Sequence, residues 1–397
     1  MKIGIVAPGG LPVPASNGGA VETLIDVFIE YELGTEDQVI VVSGVQQCKA
    51  NTYFEKNNVK YYQEKAAIEK KSLFNRMFKH FNPNIDYAVY LKAAINRLKD
   101  EKCDCILVEN RPLFIEPIAR ACGVPTILHL HNDSIPVYGE KNRPDLDRYC
   151  SRVIVVSDYI RRCIERDYSS VPVSVVHNGI ALDKFKKERN EPMRALIRDK
   201  FCISANDIVI TFTGRFTKEK GVLELVDAYS RIRTEKPILL LIIGASWFGE
   251  NKPSEYIEKV KTFAARTNNP IKFTGYLSHD KVAEVESISD IAVIPSTWED
   301  PFPLTVLEAL ASGMPVITTN SGGIPEALDS ESGFVLSKED DLVISLTEKL
   351  TLLIEDETLR KTMGNNARKR AEKLFGDETY CEHLRNAIAL DVDNAKG

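Results

Sequence analysis

Short apolar runs rich in Val and Ile recur along the chain, separated by stretches with helical periodicity. In the first half they are Ile3–Ala7, Val39–Val42, Cys105–Val108, Thr126–Leu130 and Val153–Val156. In the second half they are Ile208–Phe212, Ile238–Ile243, Ile271–Thr274, Ile291–Ile294 and Val316–Thr318. A strand with one wet face alternates apolar and polar residues; unbroken apolar runs suit parallel strands covered on both faces. Between the runs, Val21, Leu24, Ile25, Phe28 and Ile29 share one helical face, as do Val222, Leu225, Val226 and Tyr229. Strands alternating with such helices predict right-handed βαβ units and helices on both sides of a parallel sheet. The expected fold class is therefore α/β.

The pattern breaks once, across residues 181–204, which are charged, polar and without strand character. This divides the chain into two doubly wound halves. Ligands of such sheets bind beyond the carboxyl ends of the strands, so substrates are expected in a cleft between the halves.

Composition narrows the function without naming it. A chain of 397 residues with 44% hydrophobic and 27% charged positions suits two or three ordinary domains. Its net charge of −6 lacks the basic footprint of a nucleic-acid binder. No run approaches the length of a membrane span, and the first residues lack the apolar region and cleavage site of an export signal. Eight cysteines form no C-x-x-C pair, which reads as reduced, buried thiols in a cytoplasmic protein. Charge is uneven: residues 1–190 hold 26 Lys+Arg and 24 Asp+Glu, and residues 191–397 hold 25 and 33.

Candidate chemistry gathers after the strands. The first strand leads into a loop ending in Gly18-Gly19, followed by a helix from about Ala20. Two readings stand: a turn that only reverses the chain, or a helix start that a phosphate or sugar can approach. There is no G-x-G-x-x-G, so the dinucleotide fingerprint is absent. In Leu128-His129-Leu130-His131-Asn132-Asp133, alternation sets His129 and His131 on one strand face, with His131 nearer the carboxyl edge. Either is a core histidine or a hydrogen-bonding partner of a sugar hydroxyl. Ser157 and Asn178-Gly179 read first as helix-cap and turn residues.

The second half carries the sharper signal. Gly214, Arg215 and Lys220 lie in a loop between a strand and a helix, so both cations can converge on one anion. An Arg fork grips phosphate oxygens in pairs and Lys adds a point charge, which suits a diphosphate. Further on, Glu299-Asp300-Pro301-Phe302-Pro303-Leu304-Thr305 joins a strand to a helix. Free amides of Leu304 and Thr305 can hold a phosphate, and Glu308, one turn on, can accept two vicinal ribose hydroxyls. The bland alternative makes Asp300 a helix cap, worth about 1 kcal/mol; it leaves Glu308 without a reason.

Together Gly18-Gly19, HLHND at 129–133, VSDY at 156–159, HNGI at 177–180, GRFTKEKG at 214–221 and STWEDPFPLTVLEALASGMPVITT at 296–319 resemble the retaining glycosyltransferases of family 4. The resemblance runs from residue 1 to about 330, in the family's order. It implies the GT-B fold, two facing Rossmann-like domains with an interdomain cleft. A final helix that crosses back, expected from about Asp377, would give domains of 1–183 plus 377–397 and 184–376. It implies transfer of a sugar from a nucleoside diphosphate sugar, with retention, to a glycan or lipid-linked acceptor, and no metal cofactor. Gly18 and Gly19 would border the diphosphate and acceptor, and His131 the sugar's hydroxymethyl group. Arg215 and Lys220 would neutralise the leaving diphosphate. Tyr276 and Leu277 would face the nucleobase, mainly through backbone. Of the family's two carboxylates, spacing assigns Asp300 to the sugar and Glu308 to the ribose. Two departures stand out. Asp300 replaces the usual Glu, leaving open whether Glu299 or Asp300 reaches the sugar. Pro303 replaces a common Gly and removes one N–H from the phosphate loop.

Asp145-Leu146-Asp147 mimics the D-x-D of metal-dependent transferases but lies outside the strand context that motif needs. Lys70, Lys71, Phe74, Arg76, Phe78 and Lys79 form a basic stretch with aromatic residues at helical spacing. It reads as a solvated helix packed on the sheet, or as attachment to anionic lipid on the cytoplasmic face of a membrane, near a lipid-linked acceptor. A sugar-nucleotide epimerase on the same fold and a non-catalytic sugar-nucleotide-binding subunit are the competing functions.

Overall fold

A computed structural model describes residues 1–16, 19–45, 51–66, 87–133, 135–139, 142–186, 191–244 and 255–396. The basic stretch from Lys70 to Lys79 lies outside these residues, as does Gly18. The chain divides into two compact units, Met1–Asn178 with Asp377–Gly397, and Gly179–Gly376.

The first unit holds eight strands: β1 Lys2–Val6, β2 Gln38–Val45, β3 Thr52–Lys56, β4 Val59–Lys65, β5 Cys105–Glu109, β6 Thr126–Leu130, β7 Arg152–Val155 and β8 Val173–Val175. Their order is β3-β4-β2-β1-β5-β6-β7-β8, parallel except for the β3–β4 pair. The second holds six: β9 Ile208–Thr213, β10 Ile238–Ile243, β11 Ile271–Gly275, β12 Ile291–Ile294, β13 Val316–Thr319 and β14 Gly333–Leu336. Their order is β11-β10-β9-β12-β13-β14, wholly parallel. All ten apolar runs in the sequence are strands. The other four strands are hairpin or edge elements: β3 is exposed along its whole length, β8 is three residues long and only half-buried, and β14 is a short edge.

In each sheet the chain begins in the middle and winds outward in both directions. The reversal falls between β1 and β5 in the first sheet and between β9 and β12 in the second. Crossover loops part there and leave a crevice at the carboxyl edge. The glycine loop follows β1, and Glu109 ends β5; the Arg215–Lys220 loop follows β9, and Glu299-Asp300 follows β12. Three of the loops with candidate chemistry thus lie at the two reversal points, and the fourth, at 129–133, follows β6, the strand next to β5.

Burial explains why each sheet is continuous. In the second unit Ile210, Phe212, Leu240, Ile242, Val293 and Ile317 face one core with Val222, Leu225, Val226 and Tyr229 of the helix Val222–Arg231. On the other face, Val209, Leu239, Leu241 and Ile243 pack with Val282, Val285 and Ile288. Covering both faces removes each strand residue from water, at about 25 cal/mol per Å² of apolar surface. The last helix, Asp377–Lys396, belongs to the first unit. Arg152 binds Asp391 through two nitrogens at 2.9 and 3.2 Å, and Arg385 reaches both Glu32 and Asp37. The seven described cysteines are all free. Among the described residues no helix is long and apolar enough to cross a membrane.

Candidate active site

The second unit's site is built on backbone that only particular residues allow. Gly221 ends the turn Lys218–Lys220 at a φ of 69°, and a Cβ there would run into the Pro295 carbonyl. Gly322, at a φ of 56°, leaves no room for a Cβ beside the Asp300 carbonyl. Its neighbour Gly323 donates its N–H to that oxygen at 2.8 Å. The loops after β9, β12 and β13 are thereby clamped together.

On this base, the Lys220 ammonium lies 2.5 Å from Asp300 Oδ2 and 5.7 Å from the Trp298 ring centre. Asp300 is buried. It does not cap the following helix, whose N-terminus has Pro303 and no side-chain cap. The capping alternative therefore fails. Glu299 points elsewhere: it pairs with Lys338 and accepts the Gly322 N–H at 2.5 Å. Those partners outweigh its burial and hold its carboxyl below the usual range. Of the two adjacent acids, Asp300 is the one beside Lys220. Arg215 is half-buried and, among the described residues, makes no ion pair.

The helix Leu304–Ala311 starts with the amides of Leu304 and Thr305 at a half-buried edge, while Val306 onward is buried. First-turn N–H groups have no intrahelical acceptor and carry the positive end of the dipole. Phe302 does not share that edge; its ring packs edge-on against Phe375, 5.7 Å between centres. Glu308 is buried, and its Oε1 lies 2.7 Å from His279 Nε2. That bond raises the His279 imidazole above its ordinary value. Burial and then the nearby Glu308 push the Glu286 carboxyl well above its ordinary value. Thr213 donates to Glu286 Oε1 at 2.9 Å and Ser312 to Oε2 at 3.3 Å. Tyr276 is exposed, and Leu277 packs on the sheet core.

The first unit offers different material. Glu109, at the end of β5, lies between two imidazoles: His129 Nδ1 is 3.3 Å from Oε1, and His131 Nε2 is 2.8 Å from Oε2. Burial alone would raise the Glu109 carboxyl, yet the two histidines overcome it and hold it down to about 2. These three side chains are of metal-ligating type, with candidate ligand atoms all within 4.8 Å of one another. Gly19 has a φ of 110°, and a Cβ there would strike Glu22. Burial pushes the Glu22 carboxyl up to about 7, against the pull of its own amide and Arg111. Arg111 is itself buried, donating to the Pro8 carbonyl at 2.9 Å and to Tyr87 Oη at 3.2 Å. Ser157 caps the helix Asp158–Asp167. Asp147 accepts the Ser170 and Val171 amides at 2.9 Å each, an internal tie that accounts for the D-x-D look-alike.

Four acids and bases at these edges escape motif reading: Glu22, Glu109, His279 and Glu286. The one sequence signal for Glu109 is a carboxylate closing an apolar strand run.

Comparison with known proteins bears on this geometry. Residues 193–370 match the family model of glycosyl transferases group 1, and residues 37–184 match that of glycosyltransferase family 4. The spore coat protein SA of Bacillus subtilis is 25% identical over 97% of this chain and 98% of its own. The lipopolysaccharide 1,2-N-acetylglucosaminetransferase of Salmonella typhimurium is 24% identical over 82% of each. The crystal structure of Anabaena HepE in complex with UDP-glucose has a TM-score of 0.71 at 19% identity, covering 98% of this chain and 99% of that one.

Proposed function

This chain belongs to the group 1 glycosyltransferases of family 4, with the GT-B fold, and from that premise we propose that it transfers a sugar from a nucleoside diphosphate sugar, with retention of configuration, to a glycan or lipid-linked acceptor. The observation that carries this reading is the edge of the second sheet. There the loop after β9, with Arg215 and with Lys220 paired to buried Asp300, adjoins the loop after the neighbouring strand β12, which leads into the helix starting at Leu304 and Thr305.

The bond that breaks joins the anomeric carbon to a phosphate oxygen, and negative charge grows on that oxygen as the sugar becomes oxocarbenium-like. Arg215, Lys220 and the two amides stabilise this charge more than the bound ground state, which is what lowers a barrier. The acceptor hydroxyl attacks from the face the diphosphate leaves, and its proton passes to a leaving-group oxygen. The cations serve where a metal would otherwise sit. Asp300 orients Lys220 and contacts the sugar, Glu308 receives the ribose hydroxyls, and Tyr276 and Leu277 frame the base through backbone. His131 serves the sugar, and Gly18 and Gly19 border the diphosphate and the acceptor. The HepE complex supports UDP as the nucleotide.

A thermal-shift panel of nucleoside diphosphate sugars, followed by nuclear magnetic resonance of donor with and without acceptors, tests this. Expected are a raised melting temperature with one nucleotide and retained configuration in the product. A donor sugar converted with no acceptor present would point to the epimerase instead, and binding without any turnover to a non-catalytic subunit.

A further inference from the structure

The Glu109 carboxylate faces two histidines whose ring centres are 4.1 Å apart: His131 Nε2 lies 2.8 Å from Oε2, and buried His129 Nδ1 lies 3.2 Å from Oε2 and 3.3 Å from Oε1. The outer nitrogens, His129 Nε2 and His131 Nδ1, are buried and meet no hydrogen-bond partner among the described residues. A neutral imidazole carries one proton, and the bond made by one nitrogen decides where it sits. A carboxylate accepts only, so each inner nitrogen must be the donor, and His131 Nδ1 is left as a bare lone pair. The opposite tautomers would aim two lone pairs at a carboxylate and bury two N–H groups without acceptors. A metal among the three would also put an N–H on each outer nitrogen, without the partner that ligating histidines normally have there.

We propose that Glu109 is a positioning residue, locking His131 as the Nε2–H tautomer so that Nδ1, at the carboxyl edge of β6, accepts a hydrogen bond from a hydroxyl of the transferred sugar. The hydroxyl's identity rests on the donor reading above; the tautomer does not. Asn110 holds the backbone in place: at a φ of 56° its Oδ1 accepts the His131 N–H at 3.1 Å. The His131 side chain is 7% exposed. Burial and the adjacent His129 keep its imidazole below the ordinary range, which suits an uncharged acceptor.

Long-range proton–nitrogen correlation spectra of the 15N-labelled full chain at pH 7.5 read the tautomer directly, with His131 assigned by its loss in His131→Gln. Expected is a neutral His131 protonated on Nε2, becoming a mixture of tautomers in Glu109→Gln. With whichever nucleotide sugar the panel yields, Glu109→Gln should lower kcat about tenfold, the worth of one hydrogen bond, and leave KM within about twofold. The double variant should lose little more than either alone. A wild-type His131 that is charged or protonated on Nδ1 overturns the proposal, as does an unchanged tautomer in Glu109→Gln. Should that variant fail to fold, the wild-type spectrum decides. If no nucleotide sugar binds, the donor reading falls separately, and the spectrum still judges the tautomer.

Discussion

The two sheet edges solve one problem, holding polar chemistry where strands end, with different materials. The second uses backbone: close-packed glycines, first-turn amides and a lysine pinned by an aspartate. The first uses ionisable side chains, Glu22, Glu109, His129 and Arg111 buried and His131 half-buried beside them. Backbone amides and cationic side chains present positive dipole ends and positive charge, which suits a diphosphate. Buried carboxyls and imidazoles present a choice of protonation state, which suits neutral hydroxyls. The second half of the chain is the more acidic, yet its sheet edge presents cations. What a ligand meets is local arrangement rather than net charge.

The sharpest way to break this contrast is to remove the fixed charge. Arg215→Ala should lower turnover by about 10²–10³, the usual loss for one preorganised donor, with circular dichroism and melting temperature little changed. Lys220→Ala should lower turnover as much and also lower the melting temperature, because it leaves buried Asp300 unpaired. A near wild-type rate would end the clamp assignment. Next in size, Glu308→Gln should weaken nucleoside diphosphate binding about tenfold by calorimetry, since hydrogen bonds to a charged acceptor exceed neutral ones. Unchanged affinity would contradict a ribose contact.

Titration sharpens the comparison further. Glu22 is raised to about 7 from 4.5, so between those values the folded state binds more protons than the unfolded one. Stability then falls as pH rises through that window, and Glu22→Gln should flatten the slope in melting scans. His279 is also raised, through Glu308. Its stabilising pair is fully present below the unfolded histidine value of about 6.5 and is lost as pH rises through the higher folded value. The gap in melting temperature between wild type and His279→Gln should therefore close toward alkaline pH. A gap independent of pH would show that the pair is not ionic. The smallest effect on catalysis belongs to the stretch outside the described residues. Changing Lys70, Lys71, Arg76 and Lys79 together to Glu should abolish sedimentation with anionic liposomes while leaving soluble-donor turnover nearly intact; unaltered sedimentation would remove the lipid reading.

Some of this was legible from the chain alone. Nine of the ten strands read from apolar runs announced themselves because burial on both faces demands unbroken apolar runs; the tenth, β11, is a half-buried edge strand. The β3–β4 hairpin was silent because its exposed residues, Thr52 to Lys56, carry no such demand. Arg215, Lys220, Asp300 and Glu308 were legible because a short loop and one helical turn fix their neighbourhood locally. Which of Glu299 and Asp300 lies beside Lys220 was not, since it turned on Lys338 and Gly322, which are distant in sequence.

The order of residues determined the α/β alternation, its break and the loops that carry charge, because periodicity and loop length act over a few residues. Only tertiary structure decided that Glu109 meets two histidines about twenty residues away, that Lys220 meets Asp300 across eighty, and which carboxyls burial pushes upward. Those outcomes depend on parallel strands bringing remote loop ends together and excluding water from them, and a protonation state is a property of that shared surrounding rather than of any one residue.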